Sequence, residues 1–214
     1  MAFQEVKAEL TGIAELVLHN GWMANPLSPL SKMMKGLTAK KNKTDGDYEI
    51  IANLEWLSGW YYKGDVIDVA MQGSDILIGD CGDLVIPTKV IFATFWGGAK
   101  QHKLGMKFKQ GVFVIHDAEL LFPQKRALDE MMADPNLRIG TMEKVNAAKV
   151  LRTRPKLLEW TIRLSFNFDD SVLDQRQIEM CMASAGSYVG IGERRPSWGR
   201  YAVKILSVKP VVIG

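Results

Sequence analysis

The chain is expected to fold as an α+β protein, with a ferredoxin-like antiparallel sheet core carrying helical and loop insertions. Three observations predict this. Residues 157–168 alternate strictly, with Trp160, Ile162, Leu164, Phe166 and Phe168 on one face and Thr161, Arg163, Ser165 and Asn167 on the other. Strict alternation of aromatic and β-branched residues marks a half-buried strand. Val172, Leu173, Ile178, Met182 and Ala185 then recur at helical spacing up to Gly186. After a glycine-rich loop, Tyr201, Val203, Ile205 and Ser207 alternate with Ala202, Lys204 and Leu206. The order strand, helix, loop, strand is the second half of a split βαβ arrangement. The early order of strand, helices and strand is consistent with a first half that carries insertions. One domain spanning 1–214 is expected, with insertions near 25–60 and 65–140.

The other elements follow in order. Phe3, Val6, Ala8 and Leu10 interleave with polar residues, which predicts a strand over 3–11. Ser28 before Pro29 is a helix start, and Leu30, Met33, Met34 and Leu37 continue it. Lys32, Lys35, Lys40, Lys41 and Lys43 surround that helix and its tail, either as a basic arm for a nucleic-acid backbone or as a solvated loop. Residues 44–47 supply caps for a second helix reaching about Leu57. The Trp56, Trp60, Tyr61 and Tyr62 cluster either fills a core or stacks on bases. Residues 66–86 read as short strands and loops. Their aspartates lack the spacing of a calcium loop, so no metal is assigned. Pro87 opens a helix toward Ala99, 111–115 is a strand, and Ala127, Leu128, Met131 and Met132 make a short helix. The basic stretch 138–154 pairs with 157–168 around a turn at 153–156, and 169–171 cap the last helix.

A formal charge of +3 and a pI of about 8.8 are mildly basic. Basic residues gather at 32–43, 100–109, 149–163 and 194–204, which allows a positive groove on a nearly neutral chain. Cys81 and Cys181 have no metal-type spacing and make no disulfide framework. No apolar run is long enough to span a bilayer, and the first six residues lack a signal-peptide layout. An intracellular, cytoplasmic location without membrane or cofactor is expected.

Residues 186–201 carry the chemistry, with four glycines and three arginines in sixteen positions. Glycine permits close backbone approach or positive φ, and arginine offers a planar donor fork for phosphate. The stretch is either a backbone-and-guanidinium cradle or a tight connection with solvated arginines.

Gly190-Ile191-Gly192-Glu193-Arg194-Arg195-Pro196-Ser197-Trp198-Gly199-Arg200-Tyr201, between a helix and a last strand, resembles the glycine-rich loop of the RAMP superfamily. These are CRISPR-associated RNA-binding proteins, including backbone subunits of effector complexes. The loop is also similar to that of uncharacterised bacteriophage proteins. The specific likeness covers 157–208, with a weaker echo at 9–20. It implies an RRM-like core, single-stranded RNA bound across a sheet and loop surface, and side-by-side assembly into a homo-oligomer or a larger complex.

The leading expectation is therefore non-catalytic binding of single-stranded nucleic acid, RNA more than DNA, in a bacterial host cell. Gly190 and Gly192 would bring backbone N–H groups to phosphates, Arg194, Arg195 and Arg200 would pair with phosphates, and Trp198 would stack on a base. Arg152, Arg154 and Lys156 would line a neighbouring turn, with Lys40, Lys41 and Lys43 as the arm. One alternative is a metal-independent endoribonuclease using His102 among Lys100, Lys103 and Lys107. No hydrolase triad, zinc motif or P-loop is recognisable. Another is a phage-encoded antagonist of a host complex, docking through Trp22, Met23, Met33, Met34, Trp96 and Trp198.

Overall fold

The structure, a computed structural model, describes residues 3–145 and 148–211. In chain order its strands and helices are β1 (Phe3–Gly12), β2 (Leu16–Val17), α1 (Pro29–Thr38), α2 (Asp45–Gly59), β3 (Val69–Gln72), β4 (Asp75–Ile78) and β5 (Val85–Ile86). Then come α3 (Thr88–Gln101), α4 (Gly105–Gly111), β6 (Val112–Phe113), β7 (Ala118–Leu121), α5 (Leu128–Ala133), β8 (Arg138–Val145) and β9 (Ala148–Leu157). The last three are β10 (Thr161–Asp169), α6 (Gln175–Ser184) and β11 (Tyr201–Pro210).

The chain divides into two compact units. The first comprises Met1–Leu16, Val85–Pro123 and Leu158–Gly214, and the second Val17–Leu84 and Gln124–Leu157. The chain therefore leaves the first unit at 17–84 and 124–157. Residues 85–123 supply α3, α4 and β5 to β7 to the first unit, although they lie in the stretch expected as an insertion.

The first unit is the α+β core. Its sheet runs β11-β1-β10-β7-β5, with β6 also on β10. Every pairing in it is antiparallel. The order β11-β1-β10-β7, with α3 between β1 and β7 and α6 between β10 and β11, is the ferredoxin-like βαββαβ topology. The alternation read in the sequence sets the register. Val6 faces Phe166, Ala8 faces Leu164 and Leu10 faces Ile162, and all six are buried. α3 lies on this apolar face, where its Phe95 ring is 5.7 Å from that of Phe166. Burying each such ring contributes about 2 kcal/mol of transfer free energy. α3 and α6 pack closely because Gly98 has no side chain: a Cβ there would stand 2.1 Å from the Cys181 carbonyl oxygen.

The second unit contains α1, α2, the β3–β4 hairpin, α5 and the β8–β9 hairpin. Ser28 accepts from the Ser31 N–H and Pro29 opens α1, as its sequence signals require. Thr44 and Asp47 form a reciprocal capping box at α2. Trp56, Trp60 and Tyr62 are fully buried, and Trp56 Nε1 donates to the Leu137 carbonyl at 2.7 Å. The aromatic cluster is core.

Two local expectations change. The β8–β9 ladder extends to Val145 opposite Ala148, and β9 runs unbroken through Thr153, Arg154, Pro155 and Lys156. Pro155 stands opposite Arg138 at the ladder end, where a missing N–H costs least, and its carbonyl accepts from the Leu18 N–H. The cap of α6 is Asp174, boxed with Gln177. Asp169 instead accepts from the Ser171 N–H and hydroxyl. Asn146 and Ala147, like Met1 and Ala2 of the N-terminal reading, lie outside the described residues.

Candidate nucleic-acid interface

The glycine-rich loop belongs to the first unit, and internal hydrogen bonds hold its shape. α6 continues into a wider turn, Ala185–Val189, and ends at Gly190, whose φ is 73°. Gly192, Arg194 and Gly199 follow at φ of 82°, 58° and 68°. These left-handed positions favour glycine, and Arg194 adopts one as a non-glycine residue. The Gly190 N–H donates to the Ala185 carbonyl at 2.8 Å, and the Gly190 carbonyl accepts from the Thr94 hydroxyl at 2.8 Å. Thr94 also bonds the buried Tyr201 hydroxyl at 3.0 Å. Burial pushes that phenol well above its ordinary value. The Ile191 N–H donates to Gly199, whose own N–H donates to the Glu15 carbonyl at 2.7 Å. A Cβ at Gly199 would lie 1.7 Å from the Ile191 carbonyl oxygen. Gly190 and Gly199 thus serve the loop's closure. The expectation that the Gly190 N–H reaches a phosphate is corrected, because Ala185 already accepts it.

An open groove of about 800 Å³ runs between the loop and α3. Ala93, Trp96, Gly97 and Lys100 form its helical wall, one stripe at i, i+3, i+4 and i+7. Tyr188, Gly192, Glu193, Arg194 and Arg195 contribute to the opposite wall. Lys100 Nζ lies 4.0 Å above the Trp96 ring, with Lys109 Nζ at 5.5 Å. The Trp96 indole N–H donates to the Gly105 carbonyl, which fixes the ring. Arg194 lies 5.4 Å over Trp198, another cation–π pair. Arg200 Nε donates to the Pro196 carbonyl at 2.8 Å and braces the loop. The groove combines exposed cations at Lys100, Arg194 and Arg195 with the largely exposed ring of Tyr188. Phosphate can pair with the cations while a base covers a ring.

The remaining candidate residues lie in the second unit, several of them in structural contacts. Arg152 donates to Glu55 at 2.5 Å, and Glu55 also accepts the Thr153 N–H at 2.7 Å. The Glu55 side chain is 4% exposed, so Arg152 balances a buried carboxylate. Arg154 is buried and Lys156 half-buried along β9. Lys40 pairs with Asp47 at 2.6 Å, and Lys43 donates to the Lys40 carbonyl at 2.8 Å. Lys41 is exposed. The Lys40 ammonium, with the Thr44 N–H, holds the Asp47 carboxyl below its usual range.

The sheet surface away from the helices differs from the groove. Glu9 pairs with Arg163 at 3.0 Å and faces Lys204 in the register, while Glu5 lies 4.0 Å from Lys7. Its charges are mixed, with each named carboxylate beside a cation. His102 caps α3 and its Nε2 lies 2.6 Å from the Ser184 hydroxyl, tying α3 to α6. The His19 carbonyl accepts from Tyr61, and His116 is exposed.

Sequence reasoning named Trp96 only as a docking residue and Lys100 only as a neighbour of His102, and it gave Tyr188 and Glu193 of the 186–201 stretch no role of their own. The available signal was the 93-96-97-100 stripe, where a tryptophan and a lysine share one helix face with a glycine. Among the described residues, no group of three or more His, Cys, Asp or Glu is arranged to hold a metal ion. None of their helices is long and apolar enough to cross a membrane.

No family model and no curated protein matches the chain. Among solved structures it is similar to the crystal structure of Thermofilum pendens Csc2, with a TM-score of 0.31 at 8% identity. That alignment covers 98% of this chain and 67% of the other.

Proposed function

We propose that the protein binds single-stranded nucleic acid, RNA more than DNA, without cleaving it. The groove between α3 and the glycine-rich loop is the binding site. One observation carries this reading: Lys100, Arg194 and Arg195 line the same groove as Tyr188 and Trp96. Cations that follow a backbone, beside rings that accept any base, are what sequence-tolerant single-strand binding requires. Phosphate pairs position the strand and stacking holds it. Side-by-side assembly along the strand follows from the resemblance of the loop to RAMP backbone subunits.

The test is binding of a labelled single strand at low salt, compared with a duplex of the same length. Submicromolar binding of the single strand is expected, weakened by Arg195→Ala and by Tyr188→Ala. Equal binding of single strand and duplex, or indifference to both substitutions, would overturn the assignment. Purification without nuclease treatment adds a second readout, since bound RNA would raise the absorbance ratio and the particle mass.

A further inference from the structure

Two ammonium groups share one indole at the corner of α3 and α4. Lys100 Nζ and Lys109 Nζ both lie within 5.5 Å of the centre of the Trp96 ring. They therefore stand within about one Debye length of each other, ~10 Å at 0.1 M salt, and repel. Both lysines are exposed, and among the described residues neither joins an ion pair. The indole face offsets part of the repulsion. An anion brought to the same place offsets more of it. Packing fixes α4, and with it the backbone that carries Lys109. The buried Phe108 ring lies 5.8 Å from that of Phe92, and the Gly105 carbonyl accepts the Trp96 indole N–H at 3.0 Å. Gly105 also leaves room for Lys100: a Cβ there would stand 2.9 Å from the lysine's Cγ and 3.3 Å from the indole nitrogen. Lys100 lines the groove, whereas Lys109 stands outside it on α4.

Resting on the single-strand binding proposed above, we propose that the phosphate track extends past the groove onto α4. The strand leaves the groove at the C-terminal end of α3, passes Trp96 and gives a further phosphate to Lys109. An ammonium carries three donors, so its attraction to the ring leaves donors for a phosphate. The contact touches no base. It lengthens the site and strengthens binding without adding sequence preference.

The test is fluorescence anisotropy on a labelled oligouridylate of about nine nucleotides, a single-strand site size, titrated at four or more salt concentrations. Lys109→Ala should lower the slope of log Kd against log salt by about 0.7, one phosphate contact on a single strand. Its affinity deficit then shrinks roughly 2.6-fold between about 50 and 200 mM salt. Lys109→Arg keeps the charge and should keep the slope. Lys209→Ala removes an equal charge from the sheet surface, opposite Glu5, and should leave the slope unchanged. Both lysines are exposed, so the variants should melt at the wild-type temperature. A wild-type slope in Lys109→Ala would overturn the inference. So would an equal loss in Lys209→Ala, since net charge alone would then explain both. If Arg195→Ala lowers the slope and Lys109→Ala does not, the extension fails while the groove stands. If no strand binds at low salt, both fail.

Discussion

Replacing Arg195 by alanine tests the groove through salt dependence. The groove presents Lys100, Arg194 and Arg195 to a strand. With each of these three neutralising one phosphate, log Kd rises against log salt with a slope of about 2.1, at roughly 0.7 per single-strand contact. Between about 50 and 200 mM salt, affinity then falls roughly 18-fold. Arg195→Ala removes one contact, which lowers the slope to about 1.4 and the loss to roughly sevenfold. Arg195 is exposed, so the substitution should leave the melting temperature nearly unchanged. The assay is a titration of labelled single-stranded RNA at four or more salt concentrations, wild type beside variant. A parallel displacement with unchanged slope would refute the reasoning, because Arg195 would then be acting through the loop's conformation and not on a phosphate. A slope far above that of three contacts would place the main phosphate track elsewhere.

Other outcomes follow from the same geometry. Arg152→Ala leaves the Glu55 carboxylate buried with the Thr153 N–H as its remaining described partner. It should cost about 3 kcal/mol in urea unfolding without changing the salt slope of RNA binding. Gly199→Ala sets a Cβ against the Ile191 carbonyl at a φ of 68°. A loss of about 2 kcal/mol, or roughly 4–8 °C in melting temperature, is expected. Asp47 and Asp169 are held below the ordinary aspartate value of 3.8, by the Lys40 ammonium and by the Ser171 hydroxyl respectively. A carboxyl with a lowered folded-state value contributes stability above its unfolded value and loses it as pH falls through the lowered one. Melting temperature should therefore drop below about pH 4, and Asp47→Asn should reduce that drop.

The α+β class and the helix–loop–strand ending were legible because their signals are local. Alternation in β1, β10 and β11 survives in the register, with Val6, Ala8 and Leu10 facing Phe166, Leu164 and Ile162. Ser28-Pro29 and Thr44 to Asp47 start helices where short-range hydrogen bonds say they should. The turn at 153–156 failed because proline is a breaker only where its N–H is needed, and at the end of the β8–β9 ladder it is not. Asp169 and Asp174 are both good caps in isolation. Asp169 is the last residue of β10, paired with Phe3, and α6 begins at Gln175 behind Asp174.

From the sequence alone came the residue types of the site: a glycine-rich segment that must turn through positive φ, arginines beside it, and a mildly basic surface. These follow from covalent chemistry and near-neighbour spacing. Only the tertiary structure decided which of them remain available to a ligand. It closed Gly190 onto Ala185, tied Arg152 to Glu55 and Lys40 to Asp47, and buried the Trp56 cluster. It also brought Trp96 and Lys100 of α3 opposite Arg194 and Arg195, roughly a hundred residues further along the chain. The reason is physical. A charge or a hydrogen-bonding group is committed or available according to what long-range packing sets within a few ångströms of it, and local sequence does not encode that distance.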